Sequence, residues 1–310
     1  MNLLDMRDLL LFDLTRRGDP VVLAQPFVAQ TYNSIVGRFL LGDVEELRAV
    51  MQASNCIVSG LYALHAFFRD SFQPGDLDLY VPSSTSAPLL KFIQLHGYRC
   101  FLTTAGYSTH ASCIARVEHF HLPGTNLRID VVYSRTASPI QVIPHFHSTI
   151  VMNYLAWYGA VSFYPRLTLS KWGIINSTVQ VPFRKYRERG FDLLRGLPPS
   201  FRPGNGACSH ECWRCAECPS TIRSIHDDGV LFVPLPGAPT SLAANVTNLV
   251  WRLNNNTCTD DGFGFSVNER GETCESSLAH KTCLKLPSSD ACSCACLLLN
   301  RNSLLLVYFW

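Results

Sequence analysis

Alternating apolar and polar positions mark two segments of the chain as β-strands. In DLDLYV (76–81), Asp76 and Asp78 fall on one face and the leucines between and after them on the other, because side chains alternate sides along a strand. In LRIDVVYS (127–134), the same alternation puts Asp130 in the middle of an otherwise apolar strand. The pattern therefore predicts three carboxylates at mid-strand positions, where aspartate is a depleted residue type.

Strand and helix signals alternate around these two strands. A short β-branched strand is predicted in NCIVSG (55–60), followed by a helix in LYALHAFFRD (61–70) and another in APLLKFIQLHGY (87–98). The Pro-Gly and Asn of ARVEHFHL-PGTN-LRIDVVYS (115–134) predict a turn, so this stretch is expected to form a β-hairpin. The order of elements predicts an α+β fold in which helices flank a mixed β-sheet.

Helical patterns are predicted on both sides of this central region. The N-terminal residues 1–55 favour helices, most clearly in DVEELRAVMQ (43–52), and faintly resemble an F-box region. Between 139 and 197 the sequence again predicts helix, including HSTIVMNYLAWY and FRKYRERGFDLLRG. The Pro/Gly-rich LPPSFRPGNG (197–206) predicts a domain boundary. We therefore expect three regions, namely a helical region 1–55, an α+β domain with a helical extension 56–197, and an irregular Cys-rich region 198–310.

Composition and charge limit the classes of function. Of the 310 residues, 47% are hydrophobic and 16% are charged, which is typical of a globular chain and not of a disordered one. The net charge of +2 argues against a protein that mainly coats nucleic acid, although a local basic patch is compatible with it. The first residues lack the basic start of a signal peptide, and no apolar run is long enough to span a bilayer. We therefore expect an intracellular protein, cytoplasmic or nuclear, with no membrane partner.

The carboxylates of the 76–81 strand require a positive partner. Two like charges on one strand face repel each other unless a cation lies between them. Two divalent ions about 4 Å apart can clamp a triphosphate and the attacking oxygen of an in-line displacement. Mg²⁺ takes oxygen ligands, usually one or two carboxylates together with the phosphates. The pattern therefore favours two Mg²⁺ or Mn²⁺ ions at Asp76 and Asp78, with Asp130 completing the site.

The order of these parts resembles that of a known superfamily. Ser59-Gly60 closes the first strand, Asp76 and Asp78 lie on the next, and the single Asp130 lies on a later one. In this order the sequence resembles the nucleotidyltransferase superfamily of polymerase-beta-like and poly(A) polymerase-like enzymes, and the layout resembles a group of uncharacterised fungal proteins of that fold. The resemblance implies that the three carboxylates are catalytic and hold the metal ions, and that Ser59 and Gly60 contact the phosphates of an NTP. It also implies transfer of a nucleotidyl group to a hydroxyl of RNA, a small molecule or a protein.

One residue departs from the family pattern. The family has a serine after the glycine, with its hydroxyl on the phosphates, whereas this chain has Leu61 there. Two classes of function therefore stay open, a metal-dependent nucleotidyltransferase and a catalytically silent fold that serves as a binding or adaptor module. A further alternative for the acids is that Asp76 is only a turn residue and that Asp78 pairs with Arg69 or Arg128.

A cysteine cluster is the second candidate site. Four cysteines lie close together in CSHECWRCAEC, namely Cys208, Cys212, Cys215 and Cys218. Thiolates at such spacings are typical zinc ligands, and zinc would order a segment with little core of its own. A structural Zn²⁺ is one interpretation of this cluster, and a reduced surface loop with free thiols is the other.

Overall fold

One mixed sheet organises the protein. The computed structural model describes residues 21–68, 72–105, 113–176, 183–198, 201, 215–242, 246 and 249–253. All of them belong to one compact unit, Met1–Gly262. The strands in this part of the chain are β1 (Ile57–Ser59), β2 (Asp76–Pro82), β3 (Arg99–Ala105), β4 (Ile114–His121), β5 (Arg128–Ser134), β6 (Asn153–Ala156), β7 (Gly159–Ser162), β8 (Trp172–Ile174), β9 (Asp192–Leu194), β10 (Arg223–Ser224), β11 (Leu231–Pro234) and β12 (Val250–Trp251).

Helices accompany these strands, and the predicted α+β class with a mixed sheet is confirmed. They are α1 (Val21–Phe39), α2 (Val44–Ser54), α3 (Gly60–His65), α4 (Ala87–Leu95), α5 (Pro165–Leu169) and α6 (Phe183–Arg187), with 3-10 helices at Pro139–His145 and Thr149–Val151. Within the described ranges, every helix is too short or too polar to cross a membrane.

The large sheet has eight described strands in the order β11-β7-β6-β1-β2-β5-β4-β3. Strands β2 and β5 run parallel to each other, and the other neighbouring pairs are antiparallel. On one face, Leu77, Leu79, Ile129 and Val131 are fully buried in a core that they share with residues of α1, α2 and α4. The predicted alternation of both strands is thereby confirmed, because the acids that alternate with these residues lie on the other face.

The first strand is positioned by the helix before it. The Asp43 side chain accepts a hydrogen bond of 2.8 Å from the Glu46 backbone N–H and so caps the start of α2. The helix ends at Asn55, whose φ of 52° is left-handed, a conformation that asparagine tolerates better than most residues. The helix predicted in DVEELRAVMQ is therefore confirmed, and the turn at Asn55 leads the chain directly into β1.

The helical prediction for 139–197 is confirmed only for short helices, namely Pro139–His145, Thr149–Val151, Pro165–Leu169 and Phe183–Arg187, and it is wrong for most of the two segments quoted for it. The segment HSTIVMNYLAWY contains a 3-10 turn and strand β6, which pairs with β7 in a hairpin. Both strands are buried at every position, because a hydrophobic core covers each face of the hairpin: Leu155 and Ala160 lie in one core cluster, and Tyr154 and Val161 in the other. A run that is apolar on both faces has no helical or strand period, so the sequence pattern alone does not distinguish the two. In FRKYRERGFDLLRG, helix α6 has only five residues and the chain continues into β9.

The described residues beyond 198 belong to the same compact unit. Strand β11 pairs with β7 at the edge of the large sheet. Residues 215–253 also contribute Cys218, Ile225 and Trp251 to the buried side chains. The division at about 55 and 198 stays a prediction, and residues 254–310 lie outside the described part.

A buried arginine gives a test of how this later segment packs. Arg223 is 2% exposed, and its guanidinium donates to Asp227 at 2.6 and 2.7 Å and to the carbonyl of Ala216 at 2.6 Å. We expect Arg223→Ala to lower the free energy of unfolding by about 2–4 kcal/mol, because the half-buried carboxylate of Asp227 loses its cation and two of its donors and the Ala216 carbonyl loses its donor. Denaturant unfolding of the purified protein measures the change.

A matched control lies on α6. Arg184 pairs with Glu188 at the same i,i+4 spacing and 2.7 Å, but its side chain is 92% exposed. Arg184→Ala should change the free energy of unfolding by less than about 0.5 kcal/mol, because exposed pairs contribute little. Equal small effects of both substitutions would contradict the packing of the 215–227 segment described above.

Candidate active site

The three predicted carboxylates converge on one face of the sheet. The parallel register of β2 and β5 pairs Asp78 with Asp130, and Asp76 lies two residues earlier on the same face of β2. One carboxylate oxygen from each residue lies within 4.8 Å of the other two, and all three side chains are partly buried. The structure thus brings together the acids that the alternation pattern placed on a common face.

The cluster is electrostatically unfavourable without a cation. Burial, together with the negative charges of Asp76 and Asp130, raises the pKa of Asp78 from 3.8 to about 7. The positive charge of Lys185 on α6 opposes this shift and lowers the pKa of Asp78. Lys185 is exposed, so its charge is partly screened by water. The site is therefore negative and only partly neutralised.

A glycine is required beside the cluster. Gly60 has a φ of +65°, and a Cβ at this position would lie 2.3 Å from Oδ2 of Asp78. Any other residue would meet both backbone strain and a collision with the carboxylate. Gly60 thus allows α3 to begin directly against Asp78.

The serine of the Ser-Gly pair has a structural partner. Ser59 is fully buried, and its hydroxyl donates a hydrogen bond of 2.6 Å to the carbonyl of Asn153 on β6. This bond ties β1 to its neighbour and occupies the only proton of the hydroxyl. A phosphate contact from Ser59 and Gly60 therefore stays a prediction, and the backbone N–H groups are the available donors for it.

The leucine at the start of α3 belongs to the core. Leu61 is 6% exposed and packs in the same core cluster as Leu64 and Phe68. Its side chain offers no hydrogen-bond donor at the position where the family has a serine. The helix itself has six residues, so its dipole is small.

A histidine that the sequence analysis did not select contacts the third acid. His119 on β4 lies opposite Asp130, and its Nδ1 is 2.8 Å from Oδ1 of that carboxylate. The signal was present in the sequence, because counting back from the PGTN turn of the predicted hairpin places these two residues in register. His119 holds one oxygen of Asp130, and the second oxygen stays available to a ligand.

The structure does not show the alternative pairing of Asp78 with Arg128. Within the described ranges, Asp78 forms no ion pair with Arg128, which pairs in register with Asp76 instead. Arg69 lies outside the described residues.

The donor set fits a divalent cation. Carboxylate oxygens are the ligands that Mg²⁺ and Mn²⁺ take in proteins, and two carboxylates on one strand can bridge a pair of ions. The raised pKa of Asp78 shows that a positive charge at this point would relieve repulsion inside the cluster. Asp76, Asp78 and Asp130 are therefore the residues that would hold such ions.

Only two of the four cysteines that the zinc prediction names lie within the described residues. Cys215 is half-buried, and Cys218 is fully buried. Burial raises the pKa of Cys215, as does the carboxylate of Glu217 beside it. Cys208 and Cys212 lie outside the described residues, so zinc binding by the four cysteines stays a prediction.

Comparisons with known proteins give only weak similarities. No protein-family model matches the sequence, and no curated protein matches it. Among solved structures, a tRNA-processing enzyme (apo form I) aligns with a TM-score of 0.35 and 14% identity, over 49% of this chain and 44% of that one. A CCA-adding enzyme (apo form I) aligns with a TM-score of 0.34 and 14% identity, over 52% of this chain and 42% of that one. This chain spans less than half the length of either, and similarities at this level carry no argument about its activity.

Repulsion within the cluster predicts how stability depends on pH. A carboxyl with a folded-state pKa of about 7 stabilises the fold when protonated, and this stability is lost as the pH rises from about 4 through 7. In EDTA, Asp78→Asn should therefore match the wild type near pH 4 and be more stable by roughly 1–3 kcal/mol at pH 8. Millimolar Mn²⁺ should remove most of this difference by stabilising the wild type. Denaturant unfolding across this pH range measures it.

The control for this prediction is a carboxylate outside the cluster. Asp43 is exposed and caps α2, and asparagine is an equally good cap. Asp43→Asn should show no growing advantage between pH 4 and pH 8. A constant difference between the wild type and Asp78→Asn over this range would show that the three carboxylates do not repel one another.

Proposed function

We propose that this protein is a metal-dependent nucleotidyltransferase, which moves a nucleotidyl group from an NTP to a hydroxyl of an acceptor. The observation that carries the proposal is the convergence of Asp76, Asp78 and Asp130 within 4.8 Å on one sheet face. The order of the Ser-Gly pair, the Asp-x-Asp strand and the later Asp supports it, through the resemblance to the nucleotidyltransferase superfamily. The acceptor is RNA, a small molecule or a protein side chain.

The three acids have distinct positions in this reaction. Asp76 and Asp78 on β2 and Asp130 on β5 are the residues that would hold two Mg²⁺ or Mn²⁺ ions. When bound, these ions neutralise the triphosphate and lower the pKa of the attacking hydroxyl. The contact of His119 with Oδ1 fixes the orientation of Asp130. Oδ2 of Asp130 is then the oxygen that accepts a hydrogen bond from the acceptor hydroxyl.

We assign binding of the nucleotide's phosphates to the residues at the start of α3. Gly60 has no side chain, so the turn that begins α3 lies directly against Asp78, one of the acids that would hold the ions. Because Ser59 uses its hydroxyl on Asn153, we assign the contact to backbone N–H groups of this turn. The exposed ammonium of Lys185, whose charge reaches Asp78, is a second group that would attract the triphosphate.

A catalytically silent nucleotidyltransferase fold is the second candidate. The observation that favours it is the burial of Leu61 in the core, since the chain lacks the hydroxyl that the family uses on the phosphates. In this case the protein is a binding or adaptor module with the same site geometry.

The remaining expectations complete the proposal. We place the protein inside the cell, in the cytoplasm or nucleus. A Zn²⁺ ion at Cys208, Cys212, Cys215 and Cys218 would be structural, because four protein ligands leave no open position for a substrate.

Incubation with labelled NTPs and Mn²⁺ tests the reaction directly. Separate reactions contain each of the four NTPs with RNA oligonucleotides, a protein extract or a small-molecule extract as acceptor. We expect wild-type protein to label one acceptor class and Asp78→Asn or Asp130→Asn to lower the rate at least about 100-fold, because each removes a metal ligand. Asp43→Asn should retain the wild-type rate. An unchanged rate in Asp130→Asn would contradict the site, and absence of product with every acceptor would favour the silent fold.

Restoring the missing hydroxyl is a second test. In Leu61→Ser, the new hydroxyl can donate to a phosphate oxygen, and such a charge-assisted hydrogen bond contributes about 1.5–3 kcal/mol. We expect NTP binding in Mn²⁺, measured by isothermal titration, to become roughly 10- to 100-fold tighter.

Leu64→Ser is the matched control, because Leu64 is on the same helix and equally buried in the core. Both substitutions should lower the free energy of unfolding by about 2–5 kcal/mol through the lost core contacts, but only Leu61→Ser should bind NTP more tightly than the wild type. A folded Leu61→Ser protein that binds no more tightly than Leu64→Ser would show that the side chain at position 61 does not contact a phosphate.

A further inference from the structure

The sheet face that carries Asp76, Asp78 and Asp130, here called the acid face, extends from β2 and β5 across β4 to β3. Register pairs Asp76 with Arg128 on β5, Arg128 with His121 on β4, and His121 with Arg99 on β3. Residues that pair across neighbouring strands point to the same side of a sheet, so these side chains form a row on the acid face. The row begins with an acid and ends with two arginines and a histidine.

A bulge adds an aromatic ring beside this row. Strand β3 is the edge of the sheet, and its register with β4 shifts between Cys100 and Leu102, which leaves Phe101 as the extra residue. The Phe101 side chain is 53% exposed, and its ring centroid lies 5.3 Å from that of His121 and 6.2 Å from that of His119. A large exposed ring is therefore held on the acid face, next to the histidine that contacts Asp130.

The ring borders a shallow depression of about 350 Å³. Its lining combines the end of the hairpin with the row described above, namely Phe101, His121, Thr125, Asn126, Leu127 and Arg128. The depression is open to solvent, and its walls carry an aromatic face, hydroxyl and amide groups and a guanidinium. A planar, polar-edged ligand such as a nucleobase fits this combination better than an aliphatic one.

Two exposed arginines extend the acid face beyond its three carboxylates. Arg99 and Arg128 are exposed, and neither forms an ion pair with a carboxylate in the described part of the chain. Because neighbouring strands lie about 4.8 Å apart, the row extends roughly 14 Å from Asp76 to Arg99. A phosphate is repelled at the acid end and attracted at the arginine end of the same face.

We propose that Phe101, His121, Arg99 and Arg128, here called the platform, bind single-stranded nucleic acid. A base stacks on the Phe101 ring and the two guanidinium groups contact the phosphates on either side of it. Stacking needs an unpaired base with a free face, which a duplex does not offer, and exposed cations around an aromatic ring are the usual elements of single-strand binding. A protein partner is disfavoured because Arg99 and Arg128, which pair with no carboxylate among the described residues, would have to lose their water on contact with an apolar surface.

The position of the platform assigns it a role in the proposed reaction. His119 lies between the Phe101 ring and Asp130, which it contacts at 2.8 Å. A strand that stacks on Phe101 would therefore bring its terminal hydroxyl toward Asp130, so the acceptor is the end of a single strand. This last step rests on the proposed function, whereas binding by the platform does not.

Fluorescence anisotropy with a 5′-labelled 12-nucleotide RNA tests the proposal, in millimolar Mg²⁺ so that a cation can neutralise the acids, and without NTP so that no transfer takes place. We expect Phe101→Ala to weaken binding roughly 5- to 150-fold, because the variant loses the stacking interaction. Phe101→Trp should bind as tightly as the wild type, because tryptophan also offers a ring face for stacking. Arg99→Gln and Arg128→Gln should each weaken binding and reduce the slope of log affinity against log salt by about 0.7, the value for one phosphate contact on a single strand.

Two matched controls lie on α4. Leu95 is 73% exposed, and Lys91 is exposed on the same helix. Leu95→Ala and Lys91→Gln remove an exposed apolar side chain and an exposed charge away from the platform, and should leave the affinity within about twofold of the wild type. All substituted residues are exposed, and a thermal melt of each variant verifies that it is folded.

The outcomes separate this proposal from the proposed function. Loss of binding in the three platform variants and not in the controls supports the platform, even if no NTP is ever transferred. No binding by the wild type, equal losses in platform and control variants, or equal affinity for the 12-mer and its duplex would each overturn it. Transfer to an acceptor at wild-type rates in Phe101→Ala, Arg99→Gln and Arg128→Gln would overturn the acceptor role and leave the proposed function intact.

Discussion

Repulsion among three carboxylates is the constraint on which the site depends. The parallel register of β2 and β5 fixes Asp78 beside Asp130, so the acids cannot separate without breaking the sheet. Burial adds to the repulsion and raises the pKa of Asp78 to about 7. Among the described residues, only His119 bonds directly to the cluster, and the charge of Lys185 opposes the shift from α6. The three carboxylates, which destabilise the protein when no cation is present, are thus the groups that would bind the cation.

The same cluster determines the residues around it. A side chain at position 60 would collide with Asp78, and the backbone there is left-handed, so the turn between β1 and α3 accepts only glycine without strain. The buried hydroxyl of Ser59 ties this turn to β6, and Leu61 anchors it in the core. The turn is therefore held by contacts on both sides of it, which keep the backbone beside the acids in one conformation.

Sequence reasoning was most successful where one face of an element is buried and the other is not. Alternation with period two predicted β2, β5 and the common face of their acids, because apolar and charged positions there are strictly separated. It failed in 147–158, where both faces of β6 are buried and the pattern has no period. The contact between His119 and Asp130 could have been predicted from the hairpin register. The approach of Lys185 to Asp78 could not, because it depends on the tertiary position of α6 relative to the sheet.

The separation of charge on the acid face bears on whether the fold is active. A module that only bound nucleic acid would gain affinity by losing Asp76, Asp78 and Asp130, because their charges repel the phosphates that Arg99 and Arg128 attract. Keeping both groups on one face is favourable only if a cation neutralises the acids while the strand is bound. Binding of metal with triphosphate at Asp76, Asp78 and Asp130, together with binding of a single strand at the platform, satisfies that condition. The layout of charges therefore favours the enzyme over the silent fold.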